Sequence, residues 1–141
     1  QANAQAQNNK TAPVNAEDGV ILHGYDAISY IQNNKAEKGN AKYAVYYNGA
    51  KYYFVNEEHK QAFKKNPEAF VPQYNGWCAY AMGSYNGLVD VDPETFKVLN
   101  GKLYLFYHSW STNTLTKWNK DEVTLLPKAN TNWANRLQGK Q

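Results

Sequence analysis

The sequence predicts an α+β domain in which an antiparallel sheet, built from two Asn-Gly hairpins, is covered by short helices. Three observations lead there. Asn48-Gly49 and Asn100-Gly101 each stand between runs of aromatic and β-branched residues, and Asn-Gly supplies the two positive φ angles of a type I′ turn. Each hairpin is followed by a segment whose apolar residues recur at helical spacing. The two hairpin-plus-helix segments also parallel one another. Asn48-Gly49, Phe63 and Pro72 in the first match Asn100-Gly101, Trp118 and Pro127 in the second, which makes a candidate internal hairpin–helix repeat.

Residues 1–18 are polar, rich in Gln, Asn and Ala, and without hydrophobic periodicity. They read as the disordered leader of an exported chain after signal removal, which predicts a periplasmic or cell-envelope location. Residues 19–137 form the single domain and 138–141 a flexible tail. Val20-Ile21-Leu22 is a short strand candidate. Asp26 is placed to cap a helix running to about Asn33, with Ile28 and Ile31 on one face. Lys42 to Val55 is the first hairpin. Asn56 caps the next helix, with Glu57 and Glu58 in its first turn, and Asn66-Pro67-Glu68 ends it and opens a short turn.

The stretch Gln73 to Gly83 reads as a pivot between the two halves, with a helix started at Gly76 and stopped at Gly83. It holds the chain's one cysteine, Cys78, and one methionine, Met82, four apart and on one helical face. Asp92-Pro93-Glu94 has the composition of another cap. The second hairpin spans Phe96 to Tyr107. A helix follows from about Ser111 with Leu115 and Trp118 on one face, and Asn130 to Leu137 reads as a terminal helix docking through Trp133.

Composition narrows the function. At 141 residues and 43% hydrophobic, the chain can bury one core but not two. From Gly19 to Pro127, 11 Lys stand against 10 Asp and Glu, and the whole chain holds a single Arg. Nucleic-acid binding is disfavoured, because Arg is the main reader of phosphate and guanine. No apolar run approaches the ~20 residues of a membrane span. One cysteine excludes an internal disulfide.

Several motifs occur in an order similar to that of the YHS domain family and, more widely, of exported bacterial YHS-domain proteins. Asn48-Gly49, Tyr52-Tyr53-Phe54 and Phe63-Lys64-Lys65-Asn66-Pro67-Glu68 match the domain's hairpin, aromatic strand and helix end. Gly24-Tyr25-Asp26 with Tyr30, Gln73 to Tyr80, Val91-Asp92-Pro93 and Gly101 to Leu105 match the wider pattern. The resemblance covers roughly Gly24 to Trp133, so residues 19–137 are expected to form a single YHS-like domain. It implies a binding module, of which some relatives hold metal through a Cys after the strand Phe and a Cys or His in the next helix. Here the first position is Val55, which cannot ligate. The second is His59, which can.

If a metal binds, the expected ligands are His59, Cys78 and Met82, and sulfur with imidazole suits a copper or zinc ion better than Mg²⁺ or Ca²⁺. Each residue also has a plainer reading. A free Cys is often a small core residue, and His59 can cap or pack against its own helix. Asp90, Asp92 and Glu94 lack the ligand density of a calcium loop, and paired tyrosines are ordinary on a hairpin. No catalytic signature is present, since a thiol enzyme needs a His and an oxyanion hole beside Cys78. Two classes therefore stand: metal handling or sensing in the envelope, and a non-metal small-molecule or protein interaction module with an aromatic surface.

Overall fold

The computed structural model describes residues 12–140. It is α+β, with five helices and two small sheets. The helices are α1 (Ala27–Asn33), α2 (Glu57–Lys65), α3 (Ala79–Tyr85), α4 (Thr114–Lys120) and α5 (Glu122–Leu137). The strands are β1 (Ala16–Glu17), β2 (Val20–Ile21), β3 (Asn40–Tyr47), β4 (Ala50–Phe54), β5 (Asp92–Leu99) and β6 (Lys102–Phe106). The two hairpins lie in separate sheets, β1-β2-β4-β3 and β5-β6. At the tips Asn48 and Gly49 have φ of 47° and 89°, and Asn100 and Gly101 have 53° and 75°, the positive pair that Asn-Gly tolerates.

The internal repeat reaches further back than its hairpins. Asn40 pairs with Phe54 and Ala44 with Tyr53, while Asp92 pairs with Phe106 and Phe96 with Leu105, so each pair recurs 52 residues on. The parallel pairing of Val20 with Lys51 recurs as that of Pro72 with Leu103. Ahead of α1, Leu22, His23 and Gly24 have φ of 62°, 52° and 83°; ahead of α3, Tyr74, Asn75 and Gly76 have 59°, 50° and 86°. Both helices end on a left-handed Asn, Asn34 or Asn86. The stretch Gln73–Gly83 is therefore the opening of the second copy and not a pivot between two.

The expected cap at Asp92 is strand: Asp92 opens β5, its Oδ1 accepting from the Glu94 amide. Gly83 does not stop α3 but sits buried inside it, where a Cβ would stand 2.7 Å from the Leu125 carbonyl oxygen of α5. The missing side chain lets the two helices touch, and α5 in turn closes the end of α3. Asn132 donates to Met82 O at 2.7 Å, and Arg136 to Asn86 O and Oδ1 at 2.6 and 2.9 Å. A cation on the free carbonyls of a helix C-terminus is favoured.

Pro127 parts company with Pro72. It lies inside the 16-residue α5, which absorbs the separate terminal helix expected at Asn130; the lost N–H of a helical proline is tolerated where α5 is docked along α3. The folded unit also starts before Gly19, because Ala12 is buried and Ala16–Glu17 form β1. The rest of the expected leader, residues 1–11, and Gln141 of the expected tail lie outside the described residues.

Two apolar clusters hold the fold. Phe54, Phe63, Tyr30 and Leu105 belong to one, and Trp118, Phe106, Met82 and Leu125 to the other. Phe63 and Trp118 are fully buried at matching helix ends, whereas Trp77 is only half-buried, its indole donating to Pro13 O at 2.9 Å. Among the described residues no helix is long and apolar enough to cross a membrane.

Candidate functional site

The capping position ahead of α1 is Asp26, with 0% of its surface exposed. Its Oδ1 accepts from the amides of Ile28 and Ser29 at 2.7 and 3.1 Å, and its Oδ2 from the Val55 amide at 2.8 Å. His59 Nδ1 lies 2.8 Å from the same Oδ2 and donates to it when that nitrogen carries the proton. One carboxylate thus ties the start of α1, the end of β4 and the first turn of α2. A buried carboxylate is stable only when donors surround it, and here there are four.

In the second copy the equivalent residue is Cys78. Its amide donates to Val89 O at 2.8 Å as that of Asp26 does to Glu37 O at 2.9 Å. Its sulfur lies 3.3 Å from the Tyr107 amide, which donates to it, and 3.6 Å from Thr114 Oγ1. Tyr107 is 52 residues past Val55, so the same joint recurs with a thiol in place of the carboxylate.

His59 and Cys78 therefore belong to equivalent joints in different copies, and each already has partners. His59 retains only Nε2 for another ligand. Met82 sits in the cluster with Trp118, while Cys78 sits in the cluster with Phe54 and Phe63, so the pair that shares a helical face by spacing is divided between two cores. Cys78 occupies the cap of α3, one residue before its first turn. Among the described residues no group of three or more His, Cys, Asp and Glu side chains could hold a metal ion.

The acidic loop is likewise committed. Asp90 lies 2.9 Å from His23 Nε2 and accepts from Asn15. Burial pushes its carboxyl up, but donation by Asn15, the Val91 amide and His23 outweighs this and holds it below the usual range. Asp92 accepts from Thr95, whose hydroxyl is 2.8 Å from His108 Nδ1.

Two features went unmarked in the sequence. The first is a cleft of about 150 Å³ walled by Tyr52, Tyr74 and Trp133, with Glu68 as the single charged residue among the described residues of its lining. Tyr52 comes from β4, Tyr74 from the left-handed turn before α3, and Trp133 from α5. The Tyr74 and Trp133 rings meet edge-on with centroids 6.2 Å apart, and Tyr74 donates to Asn130 Oδ1 at 2.8 Å. Tyr47 donates to Glu68 Oε2; burial, then the Glu68 carboxylate, pushes the Tyr47 phenol up to about 12.

The second feature is Trp110. It is 99% exposed, in a tight loop held by the reciprocal bonds of Ser109 and Thr112. Residues 108–112 have no counterpart in the first copy, where the cap Asn56 follows Val55 directly; in the second, Asn113 is the cap. The sequence signal was available as an insertion between two otherwise parallel segments. Comparison with family models, curated proteins and solved structures finds no match for this chain.

Proposed function

We propose that this chain is a YHS-like, non-catalytic binding module that takes a small non-metal ligand in the cleft between Tyr52, Tyr74 and Trp133. The observation that carries the reading is the cleft itself: aromatic residues from three separate elements line one concavity together with the polar side chains of Asn48, Glu68, Gln73 and Asn75, and aromatic walls with polar groups that can orient a ligand are the make-up of a small-ligand site. The alternative, metal handling by His59, Cys78 and Met82 with copper or zinc, has less support, because the three residues have different partners.

The test is a fragment screen by amide-resolved NMR on protein purified without an affinity tag, with metal analysis of the same sample. Fragments should perturb signals of Tyr52, Tyr74 and Trp133 in protein free of bound metal. Stoichiometric copper or zinc that disappears in Cys78→Ala would overturn the reading in favour of the metal class. A protein partner is the second reading, favoured by Trp110. Aromatic anchors of this kind dominate binding energy at protein interfaces, and that contact would be lost in Trp110→Ala while cleft binding persists.

A further inference from the structure

The two copies carry the same left-handed turn ahead of their first helix, and among the described residues only the second of these turns is covered by another segment of chain. Residues 12–15 lie across Tyr74-Asn75-Gly76. Asn15 N donates to Asn75 O at 3.0 Å, and Asn15 Nδ2 to Gly76 O and to Asp90 Oδ1, each at 2.9 Å. The Trp77 indole and Asn75 Nδ2 donate in return to Pro13 O at 2.9 and 3.3 Å. A groove holds a peptide in this way: main-chain hydrogen bonds give the grip, and one side chain, here that of Asn15, is read by its surroundings.

Moving 52 positions back along the chain puts His23, Gly24 and Lys38 in the places of Asn75, Gly76 and Asp90. The register is fixed by the carbonyls just before the last pair, Glu37 O and Val89 O, which accept from Asp26 N and Cys78 N. The three residues line a groove of about 400 Å³ that is open among the described residues, a volume within the ~300–1,000 Å³ of ligand sites. Glycine shapes it. A Cβ on Gly24 would stand 3.3 Å from the Tyr53 ring, and one on Gly39 would stand 2.6 Å from the Tyr53 carbonyl. Gly24 O accepts from Gly39 N at 2.8 Å and keeps a second lone pair. The groove shares no described lining residue with the cleft of Tyr52, Tyr74 and Trp133, so binding here does not depend on that site.

Lys38, standing where the second copy has Asp90, changes what is recognised. Asp90 accepts from the Asn15 amide, whereas an ammonium only donates. Lys38 is exposed and pairs with no carboxylate of the described residues. A carboxylate at the place of Asn15 is its complement. Glu17, 3.5 Å from His23 Nδ1, and Asp18 also border the groove, which favours a single acidic side chain over an acidic run. Residues 12–15 are already engaged on the second copy, in this molecule as in any other of its kind, so the occupant comes from a different protein.

We propose that the groove at His23, Gly24 and Lys38 holds a short peptide segment of a partner protein, its main chain on the His23–Gly24 turn and one Asp or Glu side chain on Lys38.

The test is an amide NMR titration of the full chain with three acetylated and amidated peptides: Ala-Pro-Val-Asn-Ala, the sequence of residues 12–16, and its versions with Asp or Lys in place of Asn. The Asp peptide should shift the amides of Gly24, Gly39 and Tyr53 and bind about twofold to fivefold more tightly than the Asn peptide, as an exposed ion pair allows. The Lys peptide should bind most weakly. Lys38→Asp, a change at an exposed side chain, should reverse the order of the Asp and Lys peptides. An order unchanged in Lys38→Asp would overturn the role of Lys38. Shifts at Asn75 and Gly76 in place of Gly24 and Gly39 would mean that the peptide displaces residues 12–15 on the second copy, and would overturn the placement. A concentration-dependent dimer in sedimentation that Asn15→Ala abolishes would make the occupant a second copy of this chain and overturn the partner. If none of the three peptides shifts a groove signal at millimolar concentration, the groove is not a peptide site.

Discussion

Asp26 and Cys78 stand at the same place in the two copies, and they differ in what their removal leaves behind. Asp26 accepts from three amides and from His59, so Asp26→Asn turns one acceptor into a donor facing donors in a fully buried position. An unmet buried donor costs about 1–3 kcal/mol. Cys78 accepts from one amide at 3.3 Å and neighbours Thr114 Oγ1. Cys78 is buried in the apolar cluster with Phe54 and Phe63, as a small core residue should be, and has two polar neighbours there that a serine hydroxyl can also serve. Asp26→Asn should therefore destabilise more than Cys78→Ser in urea unfolding, by at least about 1 kcal/mol. Equal losses would mean that the two joints do not carry the load assigned to them.

At the scale of elements, the contact of α3 with α5 decides how the second copy is closed. Helix propensity alone favours Gly83→Ala by about 1 kcal/mol. The methyl group, however, would meet the Leu125 carbonyl oxygen at 2.7 Å and the Ala129 Cβ at 3.4 Å. A backbone oxygen cannot turn aside as a flexible side chain can, so α5 must shift. The expected net loss is about 1–3 kcal/mol, the usual cost of overpacking. Thermal unfolding would check the sign, and a stabilised Gly83→Ala would show that the two helices part without penalty. The shift should also reach Trp133, because it sits on α5 and walls the cleft.

For the whole molecule, pH acts from both sides. Glu37, held down mainly by the Ser29 hydroxyl, and Glu122, held down mainly by Lys97, have carboxyls below their usual range. Asp90 joins them, its donors prevailing over burial. A depressed folded pKa contributes stability above the unfolded value, near 4, that is lost as pH falls through the folded value. Tyr30, Tyr52, Tyr74 and Tyr104 have the opposite sign: burial raises each phenol. Their contribution is whole below the unfolded value, about 10, and is lost as pH rises through the folded ones. Urea unfolding followed against pH should therefore give a plateau that falls below about pH 4 and above about pH 10. Phenolate absorbance from these buried rings should appear only together with unfolding. Early ionisation of the whole tyrosine set in folded protein would contradict their burial.

The chain alone determined what depends on neighbours in sequence. Asn48-Gly49 and Asn100-Gly101 dictate their turns through φ, Asp26 and Asn56 dictate helix starts through short side chains that reach amides two or three residues on, and the spacing of Phe63 and Trp118 marks the buried helix faces. The parallel between the halves was legible from the hairpins onward, but its beginning was not. Leu22-His23-Gly24 and Tyr74-Asn75-Gly76 share a left-handed backbone path with little residue identity, and positive φ at Leu, His and Tyr has no reliable sequence signal. Tertiary structure alone decided that Cys78, the cap of α3, and Met82, four residues on within that helix, belong to different cores, and that Asp26 claims His59. It also decided that Tyr52, Tyr74 and Trp133, spread over 82 positions from first to last, wall one cleft. Hydrogen bonds and φ preferences act within a turn or two of chain, whereas burial and shared donors are settled by which elements pack together, and that information is written across the whole fold.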